Sequence, residues 1–155
     1  MHLNLKSILF ACALLALVLP AHAREKKLTK AQLPPAVAKT ADQQSSGATV
    51  KAYSEDRENG TLEYEVEMVA DGHSRDVTIA PDGTLLEVEE EVQLATLPAD
   101  VQAALKNKAG KAAIVKIESI SKKGRLVAYE AQLRLGGKHS EIQVGPNGQT
   151  LNHEE

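Results

Sequence analysis

The strongest constraint on this chain is an internal similarity between two stretches about 65 residues apart. Three short segments recur in order: Leu33-Pro34-Pro35-Ala36-Val37 as Leu97-Pro98-Ala99-Asp100-Val101, Tyr64-Glu65-Val66 as Tyr129-Glu130-Ala131, and Pro81-Asp82-Gly83 as Pro146-Asn147-Gly148. The matched positions are helix openers, apolar residues and turn formers, and none is an evident catalytic group. A period of this length indicates a duplicated folding unit.

The first 23 residues have the pattern of a secretory signal. Lys6 precedes an apolar run from Ile8 to Leu19, and the small residues Ala21 and Ala23 frame a cleavage site. The apolar run is shorter than the ~20 residues that a membrane-spanning helix needs. We therefore predict cleavage after Ala23, export to the periplasm or the medium, and no stable membrane insertion afterwards; an uncleaved anchor is the alternative.

Charge and cysteine content limit what the exported protein can do. Without the signal the chain has 17 basic and 21 acidic residues, a net charge of −4. It has no basic excess with which to bind nucleic acid or an anionic membrane. Cys12 is the only cysteine and lies within the signal, where lipid attachment is a weak alternative. The exported chain can form no internal disulfide, so its stability depends on packing.

Each copy begins with a predicted helix. Prolines are tolerated in the first turn of a helix, and apolar residues four positions apart give each helix one buried stripe. The stripes are Leu33, Val37 and Ala41 in the first copy, and Leu97, Val101 and Leu105 in the second. Gly110 is placed to end the second helix.

After each helix the apolar period changes to two, which is typical of half-buried strands. The clearest cases run from Tyr64 to Ala70 and from Tyr129 to Leu135, with Asn-Gly, Asp-Gly and Gly-Gly turns between strands. A fourth strand is predicted from Leu86, with a counterpart from Leu151. The predicted fold class is α+β: two tandem repeats of one helix plus a four-stranded antiparallel meander, with the helices packed on one face of the sheet. The predicted boundaries are signal peptide 1–23, disordered leader 24–30, repeat one 31–93 and repeat two 94–155.

These features resemble the PepSY-like domains of exported bacterial proteins, which are related in fold to the beta-lactamase inhibitory protein. The resemblance is carried by the Leu-Pro helix opening, Tyr64-Glu65-Val66, the hairpin at Gly72 and the Asp-Gly turn followed by glutamates, Asp82 to Glu91. It implies a module that restrains a peptidase or binds another exported protein. The chain departs from the inhibitor in lacking disulfides and in having only three tyrosines as its aromatic residues after the signal.

The candidate binding residues line the predicted open face of the sheet. Glu63, Glu65 and Glu67 share one face of a strand, and Asp76, Glu87 and Glu89 are predicted to lie beside them. The full set of predicted partner-binding residues is Tyr53, Glu63, Glu65, Glu67, Glu130, Gln132 and Arg134. An ordinary solvated sheet face is the competing interpretation, since exposed carboxylates also discourage edge pairing.

No pattern in the sequence favours catalysis or a bound cofactor. The exported chain has no thiol and no serine in a nucleophile elbow, and its histidines lack the spacing of a metal-ligand set. We therefore expect no catalytic residues, no metal ligands and no cofactor. The predicted function is an exported, non-enzymatic protein-binding module with a peptidase as one candidate partner; the alternative is a periplasmic protein that binds a small ligand or a divalent cation.

Overall fold

The described residues form one antiparallel sheet and two α-helices. The structure is a computed structural model that describes residues 25–58, 60–153 and 155; the predicted signal sequence and its cleavage site lie outside these residues. The helices are α1 (Pro35–Gln44) and α2 (Ala99–Ala109). The strands are β1 (Lys26–Leu28), β2 (Thr49–Glu58), β3 (Thr61–Ala70), β4 (His73–Ile79), β5 (Leu85–Glu91), β6 (Ala113–Lys122), β7 (Arg125–Leu135) and β8 (Lys138–Val144).

The predicted fold of two tandem repeats, each one helix plus a four-stranded meander, is wrong. All eight strands form a single sheet in the order β1 to β8, so there are not two units of one helix plus a four-stranded meander. Strand β5 pairs with β6, from Glu87 opposite Lys122 to Glu91 opposite Glu118. Backbone hydrogen bonding between these strands joins the two halves of the chain into one layer.

Two boundaries also differ from the sequence-based prediction. Lys26–Leu28, placed in a disordered leader, forms β1 and pairs with β2. Leu151, expected to open a fourth strand after α2, lies outside regular structure. In the described part of the chain, a strand therefore precedes each helix: β1 precedes α1, and β5 precedes α2. Three more strands follow in each half, β2 to β4 after α1 and β6 to β8 after α2.

The two helices form where proline opens them and glycine can close them. Pro35 is the first residue of α1, and Pro34 and Pro98 are the residues before the helices. Gly110 ends α2 with a φ of 56°, a left-handed conformation that favours glycine. Neither helix in the described part is long and apolar enough to span a bilayer.

One face of the sheet and the helices enclose two apolar clusters. The first consists of Leu33, Val37, Ala41, Tyr64, Val66, Met68, Val77 and Ile79. The second consists of Leu97, Val101, Leu105, Ile117, Tyr129, Ala131, Leu133 and Val144. The predicted inward positions of both helices, of β3 through Met68 and of β7 through Leu133 are confirmed, whereas Leu135, also expected to face inward, is 57% exposed. Each large apolar side chain buried in this way contributes about 1.5–3 kcal/mol to stability.

A β-bulge in β2 reverses the expected direction of Tyr53. Val50 pairs with Met68 and Ala52 with Glu67, so one extra residue lies between them. The extra residue places Tyr53 opposite Val66, on the same side of the sheet as the first cluster, against which it packs. The predicted location of Tyr53 on the polar face is therefore wrong, because strict alternation from Val50 does not hold across the bulge.

Two glycine turns pack directly against the helices. At Gly83, which has a φ of 87°, an added Cβ atom would lie 2.8 Å from the carbonyl oxygen of Ala36 in α1. At Gly148 the corresponding distance to the carbonyl oxygen of Asp100 in α2 is 2.6 Å. The hydroxyl of Thr40 also donates to the Gly83 carbonyl, 2.7 Å away. Only glycine permits this close approach of turn and helix.

Substitution of Gly83 by alanine tests the packing of the turn against α1. Gly72 has nearly the same φ, 86°, but open space around it, so Gly72→Ala is a matched control. Both variants incur the left-handed penalty of about 1–2 kcal/mol. We expect Gly83→Ala to lower the free energy of unfolding by about 1–3 kcal/mol more, because α1 must shift. Urea denaturation measures the difference, and equal losses would contradict the close approach.

Candidate functional site

The face of the sheet opposite the two helices is covered by polar side chains and is called here the polar face. The cross-strand register defines it, because residues directly opposite in a sheet point to the same side. It contains Ser54, Glu63, Glu65, Glu67, Asp76, Thr78, Glu87, Glu89, Glu118, Glu130, Gln132 and Gln143. Lys116, Lys122 and the apolar Ile120 also lie on this face, opposite Gln132, Glu87 and Glu89. Carboxyl groups outnumber the cationic groups, so the face has an excess of acidic residues.

Carboxylates from three neighbouring strands form rows across the first half of the face. The rows run through β3, β4 and β5 as Glu67, Asp76 and Glu89, and as Glu65, Thr78 and Glu87. The predicted placement of Asp76, Glu87 and Glu89 beside the β3 glutamates is therefore confirmed. Only the positions are confirmed; a role of these residues in binding stays a prediction.

The β5–β6 pairing places a buried glutamate in the middle of this acidic surface. Glu118 is only 2% exposed, and the carboxylate oxygens of Asp76, Glu89 and Glu118 lie within 4.8 Å of one another. Lys116 lies 2.5 Å from Oε1 of Glu118, and the amide of Gln132 donates to Oε2 at 3.3 Å. The ammonium group of Lys116 thus offsets part of the charge of this acidic centre.

The lysine does not balance the charge at Glu89. Burial, followed by repulsion from Glu118, Glu87 and Glu130, raises the pKa of Glu89 to about 8. Burial also raises the pKa of Asp76, against the opposing attraction of Lys116. Carboxylates this close cannot all ionise at neutral pH without a compensating cation.

A second acidic region lies near the β2–β3 end of the face. A cavity of about 330 Å³ is lined by Asp56, Glu63, Glu65 and Thr78, together with Tyr64. Burial and repulsion from Asp76 and Glu67 raise the pKa of Glu65 to about 7. A cation that entered this space would favour the ionised form of Glu65.

The predicted binding residues on β7 also lie on the polar face. The side-chain amide of Gln143 donates to Glu130 at 2.9 Å, while Arg134 is exposed and lies opposite His139. Because the sheet is continuous, these residues and the β3 glutamates share one surface, separated by four inter-strand spacings or about 19 Å. Of the predicted set, only Tyr53 lies on the other face.

Sequence reasoning did not select the buried residues at the centre of the site. Glu118 and its partly exposed neighbour Lys116 received no role because the pairing of β5 with β6 was not predicted; Gln143, buried on the edge strand β8, also received none. Glu118 directly follows Ile117, where strict alternation places an exposed polar residue, so the local pattern gave no signal that this charged residue is buried. Such a residue needs a partner nearby.

Comparison with known proteins establishes the fold. A protein from Bacteroides eggerthii, described provisionally as periplasmic, superposes with a TM-score of 0.64 at 15% identity, over 77% of this chain and 86% of that one. A BLIP-like protein from Bacteroides fragilis gives 0.58 at 16% identity, over 79% and 85%. A DUF2874 family protein from Bacteroides ovatus gives 0.61 at 14% identity, over 77% and 85%.

These similarities define a BLIP-like fold, that of the beta-lactamase inhibitory protein. No family model matches the chain, and no curated protein matches it. The assignment to PepSY-like domains therefore remains a prediction from the residues quoted above.

Protonation of the crowded glutamates makes stability depend on pH. The folded protein retains protons on Glu65 and Glu89 up to pH values of about 7 and 8, whereas an ordinary glutamate releases its proton near 4.5. The retained protons stabilise the folded protein at low pH. Their contribution to the free energy of unfolding decreases as the pH rises from about 4.5 to about 8. We expect Glu89→Gln to raise stability at pH 9 by roughly 1–2 kcal/mol, allowing for solvent screening.

The matched control is Glu91→Gln on the same strand. Hydrogen bonds from the backbone and hydroxyl of Ser74 lower the pKa of Glu91, so loss of its charge should reduce stability at the same pH. Thermal denaturation of both variants between pH 4 and pH 9 measures the two opposite effects. Destabilisation by Glu89→Gln at pH 9 would contradict the repulsion described here.

Proposed function

We propose that this protein is an exported, non-enzymatic module that binds a positively charged surface of another exported protein through its polar face. The observation that carries the proposal is the crowding of carboxyl groups on that face, which opposes the ionisation of some of them near neutral pH. Glu65 and Glu89 retain protons near neutral pH because burial and neighbouring carboxylates oppose their ionisation. A lysine or arginine from a partner would favour ionisation and add charge-assisted hydrogen bonds.

Export rests on the signal-like sequence at the start of the chain. The apolar run and the Ala21-His22-Ala23 site predict transfer out of the cytoplasm. Several structural neighbours are also described, provisionally, as periplasmic, including the one from Bacteroides eggerthii. We therefore place the module in the periplasm.

A peptidase is the partner that the family resemblance favours. PepSY-like modules are associated with restraint of peptidases, and one structural neighbour is described as BLIP-like. The acidic polar face adds a chemical requirement: the bound surface of the enzyme should be rich in lysine and arginine. Restraint then requires this surface to adjoin the active site of the enzyme, so that occupation of one blocks the other.

A divalent cation is the competing occupant. Asp76, Glu89 and Glu118 supply three close carboxylates, and calcium is bound by carboxylate oxygens. However, calcium takes six to eight oxygens, and the ammonium group of Lys116 already lies against Glu118. We therefore favour a protein partner; calorimetric titration with calcium, followed by small ligands of the periplasm, distinguishes the alternatives.

Affinity capture from the native envelope fraction tests the proposed surface. The test variant carries Glu63→Gln, Glu65→Gln and Glu67→Gln, which remove three carboxyl groups from the polar face. Loss of buried charge pairs costs several kcal/mol in complexes, so we expect at least a tenfold weaker retention of the partner. Retention should also decrease with added salt.

The control variant carries Asp42→Asn, Asp71→Asn and Asp100→Asn, three exposed acids in α1, the β3–β4 turn and α2. It removes the same number of carboxyl groups as the test variant but none from the polar face, so it should retain the partner as well as the unmodified protein does. Equal retention by all three proteins, or no retained partner at all, would contradict the proposal.

A further inference from the structure

Strand β8 is one edge of the sheet, and its first half is open to solvent. Lys138, His139, Ser140 and Glu141 are all exposed, whereas Gln143 and Val144 are buried. An edge strand presents backbone N–H and C=O groups that can pair with another strand. The directions of these groups determine what can pair there.

The β7–β8 hairpin determines which residues direct their backbone groups outward. Gly136 and Gly137 form its two-residue turn, with φ values of 57° and 78°, so Leu135 and Lys138 are the flanking pair that hydrogen-bond to each other. Because hydrogen-bonded and non-bonded pairs alternate, the backbone groups of His139 and Glu141 point away from β7.

Gln143, the next outward residue in this alternation, provides an independent check. Its carbonyl oxygen accepts a hydrogen bond from Nζ of Lys108 in α2, at 2.8 Å. The outward direction of the alternate backbone groups of β8 is therefore supported at both ends of the strand.

We propose that β8 pairs antiparallel with β8 of a second copy of this chain, about a two-fold axis at Ser140. In this register His139 lies opposite the partner's Glu141, and Glu141 lies opposite the partner's His139. Each of these pairs exchanges two backbone hydrogen bonds. The side chains of both residues point to the polar face, since His139 lies opposite Arg134 and Glu141 opposite Gln132.

The opposite charges of His139 and Glu141 favour this register, and they favour a second copy of this chain as the partner. A shift in one direction places His139 opposite the partner's His139, and a shift in the other places Glu141 opposite the partner's Glu141. Directly opposed like charges are unfavourable, whereas an imidazole and a carboxylate attract when the imidazole is protonated and hydrogen-bond when it is neutral. An arbitrary extended peptide has no such match with the edge.

The proposed β8–β8 contact involves few residues and uses the same edge of both copies. Leu151, Asn152 and His153 line a cavity with Glu141, Ile142 and Gln143, so C-terminal residues lie beside β8 from Glu141 onwards. Pairing is thereby limited to the exposed half, and we expect a weak, reversible dimer. A two-fold contact through one edge produces a dimer and no longer array. This inference holds whether or not the polar face binds a cationic partner.

Sedimentation velocity over a range of protein concentrations tests the dimer. We expect the apparent mass to double towards high concentration, and Glu141→Pro to weaken association at least tenfold. Proline is suitable because the N–H of Glu141 points outward, so its loss breaks no bond with β7. Circular dichroism should show unchanged secondary structure in this variant.

Charge exchange provides a second test that does not depend on proline. Glu141→Lys alone places a lysine opposite the partner's His139, which removes the attraction between carboxylate and imidazole. His139→Glu alone places two glutamates opposite each other. Each variant should therefore associate more weakly. An equimolar mixture of the two, or the double variant, restores opposite charges and should restore association. A monomeric protein up to about 1 mM, association unaffected by Glu141→Pro, no rescue by the mixture, or capture of extended peptides by a protein that stays monomeric would each overturn the proposal.

Discussion

The structure depends on the backbone pairing of β5 with β6. These two strands are separated in sequence by α2, and their hydrogen bonds join the halves of the chain into a single eight-stranded layer. Without this pairing each half would present one further sheet edge, β5 or β6, and a smaller core. A sheet-forming unit of about 65 residues buries a smaller share of its surface and is correspondingly less stable.

The same pairing generates the electrostatic character of the polar face. Asp76 and Glu89 belong to the first half of the chain, and Glu118 and Lys116 to the second. The proximity of Glu118 and Lys116 to Asp76 and Glu89 therefore exists only in the continuous sheet. Burial raises the cost of ionisation for each carboxylate, and mutual repulsion raises it further. A surface that retains protons near neutral pH is suited to exchange them for a cationic group, which links the fold to the proposed binding function.

Much of the core could be predicted from the sequence, because local periodicity decides it. Val37, Ala41, Val101 and Leu105 are inward on their helices, and Tyr64, Val66 and Met68 are inward on β3, as their spacing indicates. The order of strands and helices within each half of the chain could not be predicted in the same way. Strand β1 has only three residues, two of them lysines, so alternation gives no signal for a strand before α1.

The candidate site was predictable in part for related reasons. The glutamates of β3 and the polar residues of β7 lie on the expected face because each strand alternates regularly over those residues. Tyr53 does not, because the bulge between Val50 and Ala52 adds one residue and reverses the face of everything after it. The acidic centre at Glu118 depends on a long-range strand register, which composition and local pattern do not specify.

Carboxyl-carbon NMR titration of Glu89 tests the central claim most directly, because it observes the crowded group itself. The account predicts a titration midpoint near pH 8 in the folded protein, with Glu65 near 7. A midpoint close to 4.5 for Glu89 would contradict it, since it would mean that the β5–β6 pairing does not bring Glu118 and Glu130 close enough to Glu89 to oppose its ionisation.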